Sequence, residues 1–256
     1  MTYVVIPLFY LIMIKAFKKI GQTTLELIEE LKQQRPELKG QKLSYAGRLD
    51  PMAVGEMWIM VGKDENFNRE KFLSNDKTYK VNILFGYQTD TGDLMGLIRD
   101  KNLNKKINKK DLKNALKKVK QIKEIKYPVF SSKTVEGKPL FEWYKTGKIS
   151  EIEIPKRKIK IKKAKLLQTY EISNSDLFNY IENSISLVNG DFRQDKIISR
   201  WQDELMIKND FQVAEVVFKV TTGTYIRSLV DELALILDTK ACVFTLNRTK
   251  IHKFNF

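Results

Sequence analysis

The chain has 256 residues and carries 46 lysine and arginine residues against 31 aspartate and glutamate residues, a formal net charge of +15 at pH 7. This length allows one large domain or two small ones. The excess of basic over acidic residues favours a polyanionic partner. With one cysteine and one histidine, an internal disulfide is excluded, and a metal would need carboxylate ligands alone. The sequence has no glycine-rich phosphate loop, so we expect neither a metal nor a nucleotide cofactor.

The N-terminal residues 3–14 are almost all apolar, but Pro7 interrupts them and they fall short of the roughly 20 residues that span a bilayer. The cationic residues follow this run instead of preceding it, and no small-residue cleavage site comes after it, so a signal peptide is not expected. A start of translation at Met13 is the simpler alternative. We therefore treat residues 1–14 as an N-terminal extension and residues 15–256 as the folded domain.

The first predicted helix begins after Thr24, which can cap it, and ends near Pro36. Its apolar residues have the spacing of a single helical face. They are Leu25, Leu27, Ile28 and Leu31.

The stretch Tyr45-Ala46-Gly47-Arg48-Leu49-Asp50-Pro51 places a carboxylate on a tight loop. Glycine permits a positive φ before it, and the apolar run 57–61 after it predicts a buried strand, followed by a polar break at 63–69. Asp50 is therefore our first candidate for a catalytic group. The alternative is an aspartate that only caps its own turn through backbone N–H groups.

The middle of the chain predicts strands at 77–87 and 95–100, followed by a lysine-rich stretch at 101–126. Within that stretch we expect a helix capped by Asn108. Its outer face is more simply explained as a solvated basic surface than as a specific RNA contact. The buried face is predicted from Leu112, Ala115, Leu116 and Val119.

Residues 127–147 mix aromatic and lysine side chains, which suits base stacking and phosphate contact, although the aromatics could equally belong to the core. Residues 156–165 predict one strand with Ile159 and Ile161 buried and a positive opposite face. Residues 173–210 predict two helices, the first ending at Gly190. The second carries Ile197, Ile198, Trp201 and Leu205, and no chemistry is assigned to this region.

The C-terminal part predicts a strand at 213–220, a helix at 226–237 and a last strand at 241–246. Between the first two lies Thr222-Gly223-Thr224-Tyr225-Ile226-Arg227-Ser228-Leu229. In the predicted helix, the inward residues are Leu229, Leu233 and Ile236.

Three stretches of the sequence, 45–51, 77–93 and 222–229, taken in order, resemble the TruB family of pseudouridine synthases. The family pattern runs from a Leu-Asp-Pro loop through Lys-x-Tyr and Thr-Asp-Thr-x-Asp to Gly-Thr-Tyr-Ile-Arg. Here the matching residues are Leu49-Asp50-Pro51, Lys77-Thr78-Tyr79, Thr89-Asp90-Thr91-Gly92-Asp93 and Gly223-Thr224-Tyr225-Ile226-Arg227. Several motifs in one order are far more specific than a single short match, and the resemblance covers roughly residues 15–250.

The sequence departs from the family pattern in the catalytic loop and at three other places. Tyr45 stands where the family has a histidine, and Lys19 stands where it has a proline. The segment at 127–147 has one of two expected prolines, and its lysine, Lys133, falls one place early. The Gly-Arg-Leu-Asp sequence of the loop is closer to the pseudouridine synthases that act on ribosomal RNA.

The resemblance implies an α+β protein with the pseudouridine synthase fold, a mixed, mostly antiparallel sheet flanked by helices with a central RNA-binding cleft. It implies a catalytic domain at 15–256. This domain contains an RNA-gripping segment at about 127–150 and a helical insertion at about 173–210. Because no residues remain for it, we expect no C-terminal PUA-type domain of the kind that most bacterial members carry. The implied catalytic residue is Asp50, and the implied substrate-binding residues are Tyr45, Arg48, Tyr79, Tyr225, Arg227 and Leu246.

The implied reaction converts a uridine of the tRNA T-loop, of the position-55 type, to pseudouridine without a cofactor. We expect a cytoplasmic monomer that binds the T-arm of tRNA and no membrane. Two alternatives stay open, a pseudouridine synthase acting on ribosomal RNA and a non-catalytic RNA-binding or RNA-folding protein of the same fold.

Overall fold

The computed structural model describes residues 13–62, 73–207 and 209–252. The apolar run at 3–12 and the predicted polar break at 63–69 lie outside the described residues. The first strand begins at Met13, so the last two residues of the predicted N-terminal extension belong to the sheet.

Thirteen strands and six α-helices are described, with two short 3-10 helices at Pro36–Leu38 and Ile149–Glu151. The strands are β1 (Met13–Lys18), β2 (Leu43–Tyr45), β3 (Ala53–Val61), β4 (Lys77–Phe85), β5 (Tyr87–Thr89), β6 (Ile98–Lys101), β7 (Glu124–Lys126), β8 (Thr134–Val135), β9 (Lys138–Pro139), β10 (Lys156–Lys158), β11 (Ile161–Ser173), β12 (Asp210–Val220) and β13 (Ala241–Ile251). The helices are α1 (Thr24–Gln34), α2 (Lys109–Val119), α3 (Leu140–Lys145), α4 (Asn174–Ser186), α5 (Gln194–Leu205) and α6 (Ile226–Ile236).

A seven-stranded sheet in the order β1-β3-β13-β4-β12-β11, with β2 paired to β3, organises the described residues. Strand β13 lies between β3 and β4 and runs parallel to β3, while the other strand pairings of this sheet are antiparallel. The sheet is therefore mixed and mostly antiparallel, as the sequence predicted.

The two faces of the sheet carry separate cores, because successive side chains of a strand point to opposite sides. On one face Val81 and Ile83 pack with buried residues of α1, α2 and α6. On the other, Leu84 and Val213 pack with α4 and α5. Helices thus flank the sheet on both sides, and the predicted helical insertion covers one of the two faces.

Helix α1 shows that its predicted cap was wrong by one residue. Thr23 is the N-cap, because its side chain accepts from the Glu26 amide while the Glu26 carboxylate accepts from the Thr23 amide. This reciprocal capping box satisfies two N–H groups that the helix itself leaves unpaired. Leu25 is 67% exposed, so it does not belong to the buried face.

Other predicted boundaries also differ from the structure. The stretch 156–165 forms two strands instead of one, because β10 pairs with β7 whereas β11 pairs with β12. The long strand at 77–87 is interrupted at Gly86, whose φ of +105° is not an extended conformation. The helix predicted to reach Gly190 ends at Ser186. Helix α2, with Asn108 as its cap and its four predicted residues buried, is confirmed.

Candidate active site

Asp50 lies on the connection between β2 and β3, where the chain reverses direction. Ala46 donates its amide to Trp58 O (2.9 Å), and the Ala53 amide donates to Asp50 O (3.0 Å). Gly47 adopts a φ of +90°, a conformation that L side chains rarely adopt. The Asp50 side chain remains 34% exposed, so a substrate can reach its carboxylate.

Two buried cations hold the backbone on both sides of Asp50. Lys18 Nζ donates to Pro51 O (3.1 Å) and Ala53 O (2.6 Å). Arg248 Nη2 donates to Gly47 O (3.2 Å), ahead of Asp50 in the loop. Burial lowers the pKa of Lys18 to about 8, although the nearby Asp50 carboxylate opposes this shift. Because buried donors fix these carbonyls, the loop presents Asp50 in a defined position.

Arg227, in the first turn of α6, is the charge partner of Asp50. Its Nε lies 2.9 Å from Asp50 Oδ2, and the Arg227 side chain is only 4% exposed. The Nε–H has no aligned acceptor, so this contact is an ion pair without the direction of a hydrogen bond. The two Nη atoms donate to backbone carbonyls, at Thr91 (2.5 Å) and Phe130 (3.1 Å). These bonds orient the guanidinium towards Asp50.

Asp93 is a second carboxylate near the same guanidinium, with Oδ2 3.9 Å from Arg227 Nε. Burial raises the pKa of Asp93 to about 6, against the opposing effect of Arg227. Its Oδ1 accepts from Thr91 Oγ1 (2.7 Å) and the Met95 amide (3.0 Å). Although burial works against its charged form, Asp50 and Asp93 together raise the pKa of Arg227 above its ordinary value. The site therefore keeps one permanent cation between two acids.

Two predicted site residues form a separate pair at the exposed part of the loop. Arg48 Nη2 donates to Tyr45 Oη (2.7 Å), and the guanidinium carbon lies 5.7 Å from the centre of the Tyr45 ring. Arg48 is exposed. Tyr45 also packs against the hydrophobic core, and the role of both side chains towards a substrate stays a prediction.

The predicted aromatic residues lie on two different elements. Tyr225 immediately precedes α6, and its ring packs edge-on against Tyr127 at a centroid distance of 5.5 Å. Burial, followed by the Asp50 charge, raises the pKa of Tyr225. Tyr79 lies on β4 between Phe218 and Arg248 of the flanking strands and is 6% exposed.

Leu246 is buried on β13 and contributes to the wall of a cavity of about 230 Å³. Met52, two residues after Asp50, lines the same cavity, together with polar side chains of Lys80, Asn82 and Glu215. The predicted residues therefore form three groups. Tyr225 adjoins the charge pair of Asp50 and Arg227. Tyr45 and Arg48 lie at the edge of the loop, and Tyr79 and Leu246 lie in the sheet.

The segment 127–150 lies directly against this site. It consists of the β8–β9 hairpin and α3, and its Phe130 carbonyl is the acceptor for Arg227. Lys133 Nζ lies 5.6 Å from the Tyr127 ring centre, and Lys138 Nζ lies 5.3 Å from that of Trp143. The alternation of lysine and aromatic residues in the sequence thus becomes a surface of paired cations and rings.

Sequence reasoning did not identify three residues that contact the site or its surroundings, Lys18, Asp93 and Arg193. The motif Thr89-Asp90-Thr91-Gly92-Asp93 could have identified Asp93, because it contains two acids and each of them needs a partner. Arg193 donates to Asp90 from the helical insertion (Nη1 to Oδ2, 2.8 Å). Nothing local in the sequence indicates that contact.

Within the described ranges, no group of three or more histidine, cysteine or acidic side chains could hold a metal ion. None of the helices that the structure describes is long and apolar enough to cross a membrane. The described site consists of one accessible carboxylate, its arginine partner and surrounding aromatic rings.

A mixed sheet with helices on both faces is the architecture of the pseudouridine synthase fold. Two solved structures share it over 93% of this chain and about half of their own, each at 17% identity. They are a crystal structure of a Cbf5-Nop10-Gar1 complex (TM-score 0.54) and an H/ACA RNP bound to a substrate RNA containing 2'-deoxyuridine (TM-score 0.51). The predicted fold is confirmed by this likeness.

The family model for the N-terminal domain of TruB family pseudouridylate synthases matches residues 35–185. The chain belongs to this family, as its motifs predicted. Similar proteins include "tRNA pseudouridine synthase B" of Nostoc sp., 28% identical over 93% of this chain and 66% of that protein. The protein of the same name from Mesomycoplasma hyopneumoniae is 30% identical over 84% of this chain and 53% of its own length. The chain thus spans about two thirds or less of the length of these relatives.

Proposed function

We propose that this protein isomerises a uridine in tRNA to pseudouridine, with the T-loop uridine of the position-55 type as its target. One observation carries the proposal: buried cations hold the backbone on both sides of Asp50, and its carboxylate is paired with Arg227 and is still 34% exposed. A charged group that is fixed and yet accessible is suited to attack on a substrate. Family membership and the names of the relatives support the choice of reaction.

The reaction breaks the bond between C1′ and N1, turns the uracil and joins C1′ to C5. The C5 proton leaves and N1 gains a proton, so the product is an isomer of the substrate. Because no atoms or electrons are exchanged with another molecule, the reaction requires no redox or group-carrying partner. The Asp50 carboxylate acts at the sugar, either as a nucleophile at C1′ or as a base.

Arg227 supports this chemistry by fixing the direction of the Asp50 carboxylate. An opposite charge at 2.9 Å stabilises a carboxylate in a partly closed site. Tyr225, whose ring adjoins this pair, and Tyr79 are proposed to contact the uracil. The target base leaves its stack to reach Asp50, at a cost of a few kcal/mol that stacking and phosphate contacts offset.

The tRNA T-arm is proposed to lie along the segment 127–150 and the adjacent lysine side chains. Arg157 Nη1 donates to Tyr127 Oη (3.3 Å), so the basic strand β10 adjoins the aromatic part of this segment. Rings and cations in alternation suit single-stranded loops, whose bases stack while phosphates pair with lysine. A free, buried Cys242 suits a reducing compartment, and we propose a cytoplasmic monomer.

The test compares Asp50→Asn with the wild-type protein on unmodified tRNA, mapping pseudouridine by a carbodiimide stop. We expect the variant to lose at least a hundredfold in turnover and to bind tRNA nearly as tightly, because phosphate contacts supply most of the affinity. Asp238→Asn is the matched control, since Asp238 is 96% exposed and should leave turnover unchanged. More than a tenth of wild-type activity in Asp50→Asn would contradict the assignment.

The same assay on ribosomal RNA addresses a second candidate substrate. The sequence Gly47-Arg48-Leu49-Asp50 favours it, and Arg48 is exposed and paired with Tyr45, so an RNA can contact this edge of the loop. Modification of ribosomal RNA but not of tRNA would replace the proposed target. Binding of RNA with no pseudouridine in either substrate would instead favour a non-catalytic RNA-binding protein.

A further inference from the structure

The helical insertion, α4 and α5 with their connection, contacts the surroundings of the site through Arg193. Arg193 Nη1 donates to Asp90 Oδ2 (2.8 Å), and Nη2 lies 3.4 Å from Asp90 Oδ1. The Asp90 side chain is 1% exposed. A forked pair of this kind fixes orientation as well as distance, because both nitrogens of the guanidinium face both carboxylate oxygens.

The same two residues hold the segment 127–150. The Arg193 guanidinium lies over the Phe130 ring, 4.9 Å from its centre. Tyr144 Oη donates to Asp90 Oδ2 (3.2 Å), and the Phe130 and Tyr144 rings lie 4.6 Å apart. Asp90, Phe130, Tyr144 and Arg193, which we call the latch, therefore join the insertion, the Thr89–Asp93 loop and the segment 127–150.

The latch is continuous with the catalytic pair. Phe130 places its ring under Arg193 while its carbonyl accepts from Arg227 Nη2. Asp90 pairs with Arg193, and the next residue, Thr91, supplies the other carbonyl that Arg227 Nη1 contacts. Thus the two backbone acceptors that orient Arg227 both belong to chain segments held by Arg193.

The insertion is anchored firmly enough to act as a support. Trp201 is fully buried, and its Nε1 donates to Leu94 O (3.0 Å), close to the Thr89–Asp93 loop. Gln194 fixes the turn before α5, donating to Gly190 O (2.6 Å) and accepting from the Phe192 amide (2.8 Å). Arg193 itself has a φ of +66°, a conformation disfavoured for arginine that persists only where the surroundings impose it.

We propose that Arg193 is a positioning residue through which the helical insertion holds the segment 127–150 in place against the Asp50–Arg227 site for RNA binding. The inference rests on the proposed function for its substrate. Without Arg193 the Phe130 ring loses the cation above it and Asp90 loses its ion pair, so the segment loosens and the RNA is held less well. Arg227 keeps Asp50 and the Thr91 carbonyl, so the chemical step on bound RNA is largely preserved.

The experiment measures KM and kcat for tRNA in Arg193→Gln, with Arg200→Gln as the matched control. Arg200, whose side chain is 49% exposed, lies on the same insertion in an i,i+4 ion pair with Glu204. We expect Arg193→Gln to raise KM at least tenfold with kcat within about threefold, and Arg200→Gln to change neither. A wild-type KM in Arg193→Gln would overturn the proposal.

Two further variants separate positioning from a direct phosphate contact. Arg193→Lys keeps the charge but not the fork, so it should behave like Arg193→Gln, and full rescue by lysine would overturn the latch. In the double variant Asp90→Asn/Arg193→Gln, the KM increases should not multiply, because each change removes the same interaction. If the KM increases do multiply, Arg193 contacts RNA independently of Asp90. The double variant also removes the unpaired buried carboxylate, which keeps the test usable if Arg193→Gln folds poorly.

Hydrogen exchange of the protein without RNA tests the inference independently of any measurement of turnover. Peptides from 127–150 should exchange at least tenfold faster in Arg193→Gln than in wild type, while peptides from α5 stay unchanged. Should wild type fail to modify tRNA, the proposed function fails, and faster exchange confined to 127–150 would still support the latch. Equal exchange in both proteins would overturn it.

Discussion

At the scale of single residues, the site depends on how one arginine is shared between two acids. Arg227 lies 2.9 Å from Asp50 and 3.9 Å from Asp93, and only Asp50 is substantially exposed. The exposed Asp50 carboxylate is therefore accessible to a substrate. The buried Asp93 carboxylate instead affects the net charge around Arg227. Because Asp93 has a pKa of about 6, the net charge of this group changes just below neutral pH.

Asp93→Asn should make the protein relatively more stable at pH 7 than at pH 4. In the unfolded chain the Asp93 carboxyl ionises near its ordinary pKa of 3.8, and in the folded protein near 6. The protonated Asp93 carboxyl therefore stabilises the folded protein. This stabilisation is complete below pH 3.8 and is lost as the pH rises through 6. The difference between variant and wild type should thus grow by about 3 kcal/mol over this window.

Urea unfolding at pH 4, 5, 6 and 7 measures this difference. Asp238→Asn, at an exposed position, serves as the control for removal of a surface carboxylate. A constant difference for Asp93→Asn would mean that the pKa of Asp93 is the same in the folded and the unfolded protein.

At the scale of elements, the loop that carries Asp50 depends on the pairing of β3 with β1 and β13. Gly55 pairs with Lys18 of β1 and with Arg248 of β13, and these are the two cations that hold the loop. A Cβ at Gly55 would lie 2.3 Å from the Arg248 carbonyl oxygen. The close approach of these backbones therefore requires glycine.

Gly55→Ala should destabilise the protein by at least about 3 kcal/mol, because the backbone of β13 must move to admit the methyl group. Gly40→Ala is the matched control, since Gly40 also has a positive φ (+80°) but nothing within 4 Å of an added Cβ. That variant should lose about 1–2 kcal/mol, the cost of the left-handed conformation alone. Thermal and urea unfolding compare the two, and equal losses would mean that φ, not the close approach, dominates at Gly55.

Prediction from sequence succeeded where the determining interactions are local or belong to a family motif. Helix α2 follows from its apolar spacing and the Asn108 cap, both of which operate within a few residues. The cap of α1 was misassigned because Thr23 and Thr24 are adjacent and chemically alike. Lys18 and Arg193 were not identified, since their partners lie far away in sequence. Lys18 reaches Ala53, and Arg193 reaches Asp90 across 103 positions.

At the scale of the whole molecule, the positive charge is spread over more than one surface. Exposed lysines occupy the outer face of α2 and, separately, β10 and the start of β11. Only the second group has a described link to the segment 127–150, through Arg157 and Tyr127. We therefore expect RNA to contact β10 and β11 while the α2 surface is mainly solvated.

Two sets of four Lys→Gln changes remove equal charge and test this difference. One set is Lys156, Lys158, Lys160 and Lys163, and the other is Lys110, Lys113, Lys117 and Lys120. The first should reduce the slope of log K against log salt for a T-arm stem-loop by about 0.7–0.9 for each phosphate that is no longer neutralised. The second should reduce the slope by less than about 0.7, the effect of a single phosphate. Equal changes would mean that net charge, and not a defined surface, governs binding.

The position of β13 in the sheet has a consequence for the order in which the protein assembles. This strand follows all the other described strands in sequence but lies between β3 and β4, and it supplies Arg248 to the Asp50 loop. During synthesis on the ribosome, β3 and β4 therefore lack their shared neighbour until residues 241–251 have emerged, and both expose unpaired backbone edges. A nascent chain that stops earlier can form α1 and α2 but has no Arg248 to fix the loop. The Asp50 carboxylate thus reaches its final position only after the sheet is completed from its middle, a late event in the biogenesis of the protein.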